Sequence, residues 1–329
     1  MALRNKWRWI DSRIDSLDPE VDFPEIVRLS NLYRLSDFVA HWGFAVGSPM
    51  AGINPVGAEQ VWRGGKSTSA NTPQKRVDGS NGHLFSWLEH GADHEITRLS
   101  INTVNQYHAH FGKGASSGLG DPEEYVYILC LNATLLHKLQ QQLGFSGFNA
   151  KEQRAAYLTW SKLAKHFKLA TDGSPILDHT SFPEDFDGML HKVDEWLDRP
   201  WPYSQSGHGY TIKQIEHFAE TWFPRLLRPL GRAIVSSFLA ERVLISHGIK
   251  KPGPVLRTAA IGLMKFAMFF GTRIAPDPKD SLLDRRRTAT RRSGAQSSEV
   301  DIALHRQLRK MAGGNGVSMC PHAPLSQQD

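Results

Sequence analysis

The chain has 329 residues, of which 40% are hydrophobic, enough for one large domain or two small ones around a substantial core. Its two cysteines exclude a disulfide framework and a Cys-rich zinc module. The formal charge of +6 does not mark a nucleic-acid reader. The bases crowd toward the C-terminus, at Arg285, Arg286, Arg287, Arg291, Arg292, Arg306, Arg309 and Lys310, and no aromatic side chains interleave them.

The opening stretch, MALRNKWRWIDSRIDSLD, is charged and lacks an apolar h-region, so no secretory signal is expected and a cytoplasmic location is. Residues 1–60 read as an N-terminal helical extension that turns apolar through residues 32–44. Residues 61–82, VWRGGKSTSANTPQKRVDGSNG, are rich in Gly, Ser and Asn and read as loop or short turns. From 83 to 273 helical spacing dominates. In residues 95–111, Ile96, Leu99, Ile101, Val104, Tyr107 and Phe111 follow a charged start. Pro122, Glu123 and Glu124 open a second long helix, where proline and first-turn acids are favoured. Asn149 caps residues 150–167, and Glu152 completes a capping box; Tyr157, Trp160, Leu163 and Phe167 then recur every three or four positions.

Further helices are expected at 186–197, 212–222, 229–246 and 255–270. The stretch 258–270, TAAIGLMKFAMFF, is shorter than the roughly 18–20 residues of a spanning helix and carries Lys265. It reads first as a buried helix, with peripheral membrane contact as the second reading because bases flank it. Residues 276–329 turn to Pro, Ser, Gly and Arg and are expected to form a disordered basic tail, with a short helix over 300–311. Strand alternation is nearly absent. The predicted class is all-α, a single multi-helix globular domain.

Two histidines, His108 and His110, stand near the end of the 95–111 segment. In a strand they would share a face and chelate a metal; on a helix, residues two apart point about 200° from each other. His108 then lies on the side of Ile101, Val104 and Phe111, and His110 points elsewhere. A lone histidine on an apolar helix face is usually a satisfied core residue. It is also what a b-type haem asks of a protein: one imidazole and apolar walls, with no covalent link.

The segment RLSINTVNQYHA, residues 98–109, resembles the R-x5-V-N-x2-H-A helix of the MpaB-like oxygenases, a superfamily that includes the latex-clearing rubber oxygenases. The order that follows is similar too: EEYVY at 123–127, LGF at 143–145, NAKE at 149–152, YLTWSKLA at 157–164, LLRPLG at 226–231 and IKKP at 249–252. The likeness spans roughly residues 62–257. It implies a catalytic domain over 61–275 with a globin-like core, binding haem b. It assigns the iron to His108, with Ile101, Val104 and Phe111 as cofactor-binding neighbours. It places Arg76 and Ser80 across the haem as catalytic donors. The implied reaction uses dioxygen to cleave a C=C bond of a hydrophobic, isoprenoid-like substrate. The family's Lys or Asp three residues after the arginine is missing, because Gly79 stands there.

Taken without the resemblance, the same residues have plainer readings. Arg76 in a polar loop is solvated or phosphate-binding, and Ser80 is a turn residue. His83 and His94 are expected at the surface. Glu95 reads as a helix-dipole partner and Cys130 as a buried inert thiol. Trp160 and Trp222 read as core or pocket wall. Two alternatives to an oxygenase stand beside it. One is a haem or lipophilic-ligand binder that lost its distal group. The other is a non-haem metal-dependent hydrolase using His108.

Overall fold

Helix starts are set by short polar side chains. Ser36, Asn54, Asp121, Asn149, Asp185 and Ser204 each accept a hydrogen bond from a backbone N–H two or three residues on, satisfying donors that the first turn leaves unpaired. Asn149 and Glu152 form the expected capping box. The computed structural model describes residues 7–112 and 118–293. Fifteen α-helices lie among them. The only strand pairing among the described residues is an isolated bridge between Lys168 and Pro175, so the all-α class holds.

The core is aromatic. Trp42, Tyr127, Trp196, Tyr210 and Phe218 are fully buried. Tyr127 Oη donates to the Met50 carbonyl at 2.7 Å and Trp42 Nε1 to Ile234 O at 3.4 Å, while Tyr210 meets the Ser48 and Arg76 side chains. Helix Asp37–Ala51 runs through this core against helices Pro122–Gln142, Gln205–Trp222 and Arg228–Ser236. Gly47 permits the approach to the first of these, since a Cβ there would lie 2.6 Å from Leu135 Cδ2. Described residues before 60, among them Ile10, Ile14, Leu29, Trp42 and Val46, are buried in the same core.

Three expectations about the ends and the apolar stretch need correction. The chain stays packed beyond 276: helix Leu282–Ser293 buries Leu282 and Leu283. Asp277 accepts from Arg8 Nη1 at 3.2 Å and from the Ile10 amide at 2.9 Å, and Trp9 Nε1 donates to Pro278 O at 3.2 Å. The basic run is neutralised by fixed partners, Arg286 by Asp37 and Arg287 by Glu89, at 2.7 Å each. Residues 294–329, with the helix expected over 300–311, lie outside the described residues. Helix Pro254–Phe269, continued by a π-helical turn to Ile274, is mostly exposed rather than buried. By length and composition alone it is the one described helix that could cross a membrane. The segment expected as one helix over 229–246 is two, Arg228–Ser236 and Glu241–Ser246.

Candidate functional site

A cavity of about 620 Å³ opens between helices Asp37–Ala51, Pro73–His90, Glu95–Phe111 and Pro122–Gln142, within the range of small-molecule and cofactor sites. Its wall is largely apolar, with Leu84, Leu88, Val104, Ile128, Leu135 and Trp160 among the lining side chains. Three groups of polar side chains on its wall bear on its chemistry.

The first set comes from the segment expected to be loop. Residues 63–65 do turn sharply, with Gly64 and Gly65 at positive φ and Arg63 in the left-handed region. Residues Pro73–His90 are a helix, begun by a proline in its first turn. That helix puts Arg76, Gly79, Ser80 and His83 on one face at spacings of three, four and seven, and all four line the cavity. The Arg76 guanidinium and the Ser48 hydroxyl lie at the hydroxyl of buried Tyr210, while Arg76 Nε and Ser67 Oγ are buried with no partner among the described residues. Buried donors of that kind are uncommon in folded proteins and can meet water or a bound group. A Cβ on Gly79 would meet nothing within 4 Å, so this position of the helix faces open space. Its neighbour Asp78 accepts from Gln74 at 2.8 Å on the exposed side, and Lys75 lines the cavity.

His83 is a functional candidate that the sequence reading placed at the surface. It lines the cavity and is held at Nδ1 by Ser100 Oγ at 2.8 Å. Ser100 Oγ also accepts from Trp87 Nε1 at 2.7 Å, so one hydroxyl holds both rings in place. Burial, and then the Arg76 cation, hold the His83 imidazole below its ordinary pKa, so it stays neutral.

The second set comes from helix Glu95–Phe111. His108 lines the cavity, while His110 is exposed and does not, as the helix angle requires. Burial first, then Arg76 and His83, bring the His108 pKa down to about 4. Its Nδ1 lies 3.2 Å from Tyr125 Oη, and Nε2 has no hydrogen-bond partner among the described residues. A neutral imidazole with one nitrogen oriented by a neighbour and the other unpaired has the form of a metal ligand. Val104 and Phe111 line the cavity as expected, with the Arg63 guanidinium 3.6 Å from the Phe111 ring centre. Ile101 does not: it is 1% exposed and faces the core. Position 101 is one full heptad before His108, and the drift of about 20° per heptad together with the neighbouring Ile96 and Ser100 takes it into the protein.

A third group was not foreseen as a site residue. Glu124, in the first turn of Pro122–Gln142, lines the cavity at 4% exposure and accepts from Asn54 Nδ2 at 2.8 Å. Burial raises its pKa to about 8, opposed by the Asn54 hydrogen bond and aided by Asp121. Gly57 makes this possible, because a Cβ there would sit 2.6 Å from Glu124 Oε1. The carboxyl is therefore protonated at neutral pH and able to donate. Elsewhere, Cys130 is buried with its thiol pushed up to about 12. Trp160 is wall, and Trp222 is partly exposed, bonding His41 Nδ1 at 2.9 Å. Among the described residues no three His, Cys, Asp or Glu side chains converge as ligands for an ion.

Compared with known proteins, the chain matches no family model and no curated protein.

Proposed function

We propose that the chain binds a b-type haem in this cavity and acts as a dioxygen-using oxygenase on a hydrophobic, isoprenoid-like alkene. The observation that carries the reading is the presence in one largely apolar cavity of a single neutral, oriented imidazole, His108, and of a polar helix face that presents Arg76, Ser80 and His83. The residues fit the group. One protein nitrogen suffices for a haem, and apolar walls hold its ring. The orphaned Arg76 Nε suits a negatively charged edge or reacting atom. The haem, when bound, would supply the redox chemistry of oxidative C=C cleavage.

The chain's own residues have separable parts. The Tyr125 hydroxyl, 3.2 Å from His108 Nδ1, orients the ring; by accepting from Nδ1–H it would set the tautomer in which Nε2 could hold the haem. Arg76 and Ser80 stand as donors on the other helix, and His83 lines the cavity beside them. Glu124 holds a proton inside the cavity at neutral pH. The leucines and Trp160 exclude water and take the apolar substrate.

A second reading is favoured by one observation. The space at Gly79 is unfilled, so a chain that retains haem or a lipophilic ligand without turnover also accounts for the wall. A hydrolase built on a multi-ligand ion has no such support among the described residues. The visible spectrum of the purified chain after haem addition tests the shared part. An intense Soret band should appear, vanish in His108→Ala and persist in His110→Ala. Equal loss in both variants, or in neither, refutes the His108 assignment. Dioxygen uptake with an isoprenoid alkene then separates the oxygenase from the binder.

A further inference from the structure

Helix Pro254–Phe269 and its turn to Ile274 form an apolar rod laid along the outside of the protein. Only 11% of its most apolar 18 residues are buried. One narrow stripe holds it: Ala260 and Met264 are buried, Ile261 and Met268 half-buried, against helix Arg228–Ser236. The other side is apolar and open, with Val255 81% and Phe266 63% exposed and Leu263, Phe269, Phe270 and Ile274 each at 40% or more. At 100° per residue Phe266 stands about 200° from Met264, so this side faces directly away from the domain.

The charges around it indicate what covers it. From Arg242 to Pro276 the chain has no Asp or Glu but six bases: Arg242, Lys250, Lys251, Arg257, Lys265 and Arg273. Lys251 pairs with Glu241 at 2.6 Å. Among the described residues Arg257, Lys265 and Arg273 have no carboxylate partner. Lys265 Nζ rests at the edge of the domain, where a Cβ on Gly144 would lie 3.2 Å from it, and so leaves the outer face uncharged. At the far end Trp7, 52% exposed, donates from Nε1 to Ile274 O at 3.0 Å. An indole at the end of an exposed apolar helix suits the boundary between lipid and water.

We propose that this helix lies in the interface of an anionic membrane. Val255, Leu263, Phe266 and Phe270 enter the acyl boundary, and Arg257 and Arg273 meet acidic headgroups. It does not span the bilayer in this fold, because its inner stripe is packed on the domain and Lys265 would lie near mid-bilayer. A second copy is the poorer occupant, since a two-fold contact would bring the same acid-free basic rim against itself.

Vesicle sedimentation of the full chain tests this, with phosphatidylcholine vesicles with and without phosphatidylglycerol. Binding should require phosphatidylglycerol and weaken as salt rises. Phe266→Asp with Phe270→Asp should lower partitioning about tenfold or more, and Arg257→Glu with Arg273→Glu should remove the dependence on anionic lipid. Circular dichroism checks that the variants fold, and Phe266→Ser with Phe270→Ser replaces the acidic pair if it does not. Three outcomes overturn the proposal. The wild-type chain binds neither vesicle; the Phe double variant binds as the wild type does; or the chain self-associates through these phenylalanines and ignores lipid. None of these readouts depends on haem, so this inference and the proposed function fail separately.

Discussion

Arg287→Ala should unfold the protein measurably earlier, although the residue lies in a run of bases that reads as a solvated tail. Its guanidinium makes two 2.7 Å hydrogen bonds to the Glu89 carboxylate, which is 3% exposed. Removing the arginine takes away that buried carboxylate's bidentate partner and leaves only the nearby Arg28 cation and His90; breaking a buried pair costs about 3–5 kcal/mol. His90 Nε2 lies 3.5 Å from Glu89 Oε2 and, when protonated, takes part of the charge, so the lower end, about 3 kcal/mol, applies. At about 2–4 °C per kcal/mol for large domains, the melting temperature should fall by roughly 6–12 °C. Thermal unfolding followed by circular dichroism at neutral pH checks this, alongside Glu89→Gln and the double variant. The double variant should regain much of the loss, because neither charge is then left alone. An Arg287→Ala melting point within about 2 °C of wild type would refute the docking of helix Leu282–Ser293.

Glu124 predicts a pH dependence with a definite sign. Its pKa is raised from 4.5 in the unfolded chain to about 8, so the folded state binds the extra proton and stability falls as pH climbs through that window, by at most about 1.4 kcal/mol per unit. Glu124→Gln should flatten this slope and stabilise the protein at pH 9, with little effect at pH 4; an unchanged slope in denaturant titrations would show that the carboxyl is not buried. Gly79→Ala should raise stability by roughly 0.5–1 kcal/mol, since the helix interior has room for the Cβ; a loss in urea unfolding would mean the space is filled. Tyr125→Phe should weaken haem retention about 10–100-fold by removing the partner of His108 Nδ1, with equal retention in a haem-transfer assay counting against that role.

The legible parts were those written locally. Asn149 with Glu152, Pro122 with its acids, and the 3.6-residue spacing of the 95–111 segment each specified a helix, and the same spacing separated His108 from His110. Helix Pro73–His90 was hidden because Gly79, Ser80, Asn81 and Gly82 are poor helix formers; the packing of Val77, Phe85 and Leu88 outweighs their propensity. With the helix went His83, whose place beside Arg76 depends on a seven-residue spacing within it. Glu124 looked like a dipole partner because its burial comes from Asn54 and Gly57, about seventy residues earlier. The apolar stretch at 258–270 was misjudged for a different reason. Composition reports that a helix avoids water, not whether protein is what shields it.

The contact between the two ends of the described chain also sets the order in which the fold can close. Ile10 waits for the carboxylate of Asp277, 267 residues later. At a synthesis rate of about 5–20 residues per second, that is a delay of roughly 13–53 s. For that interval helix Trp9–Ser16, with Ile10 and Ile14 in the core, can pack through Arg34 on Asp11 and Lys151 on the Asp15 and Leu17 carbonyls, but the Ile10 amide lacks its acceptor. The N-terminal helix therefore closes in two stages, the second set by the arrival of Asp277.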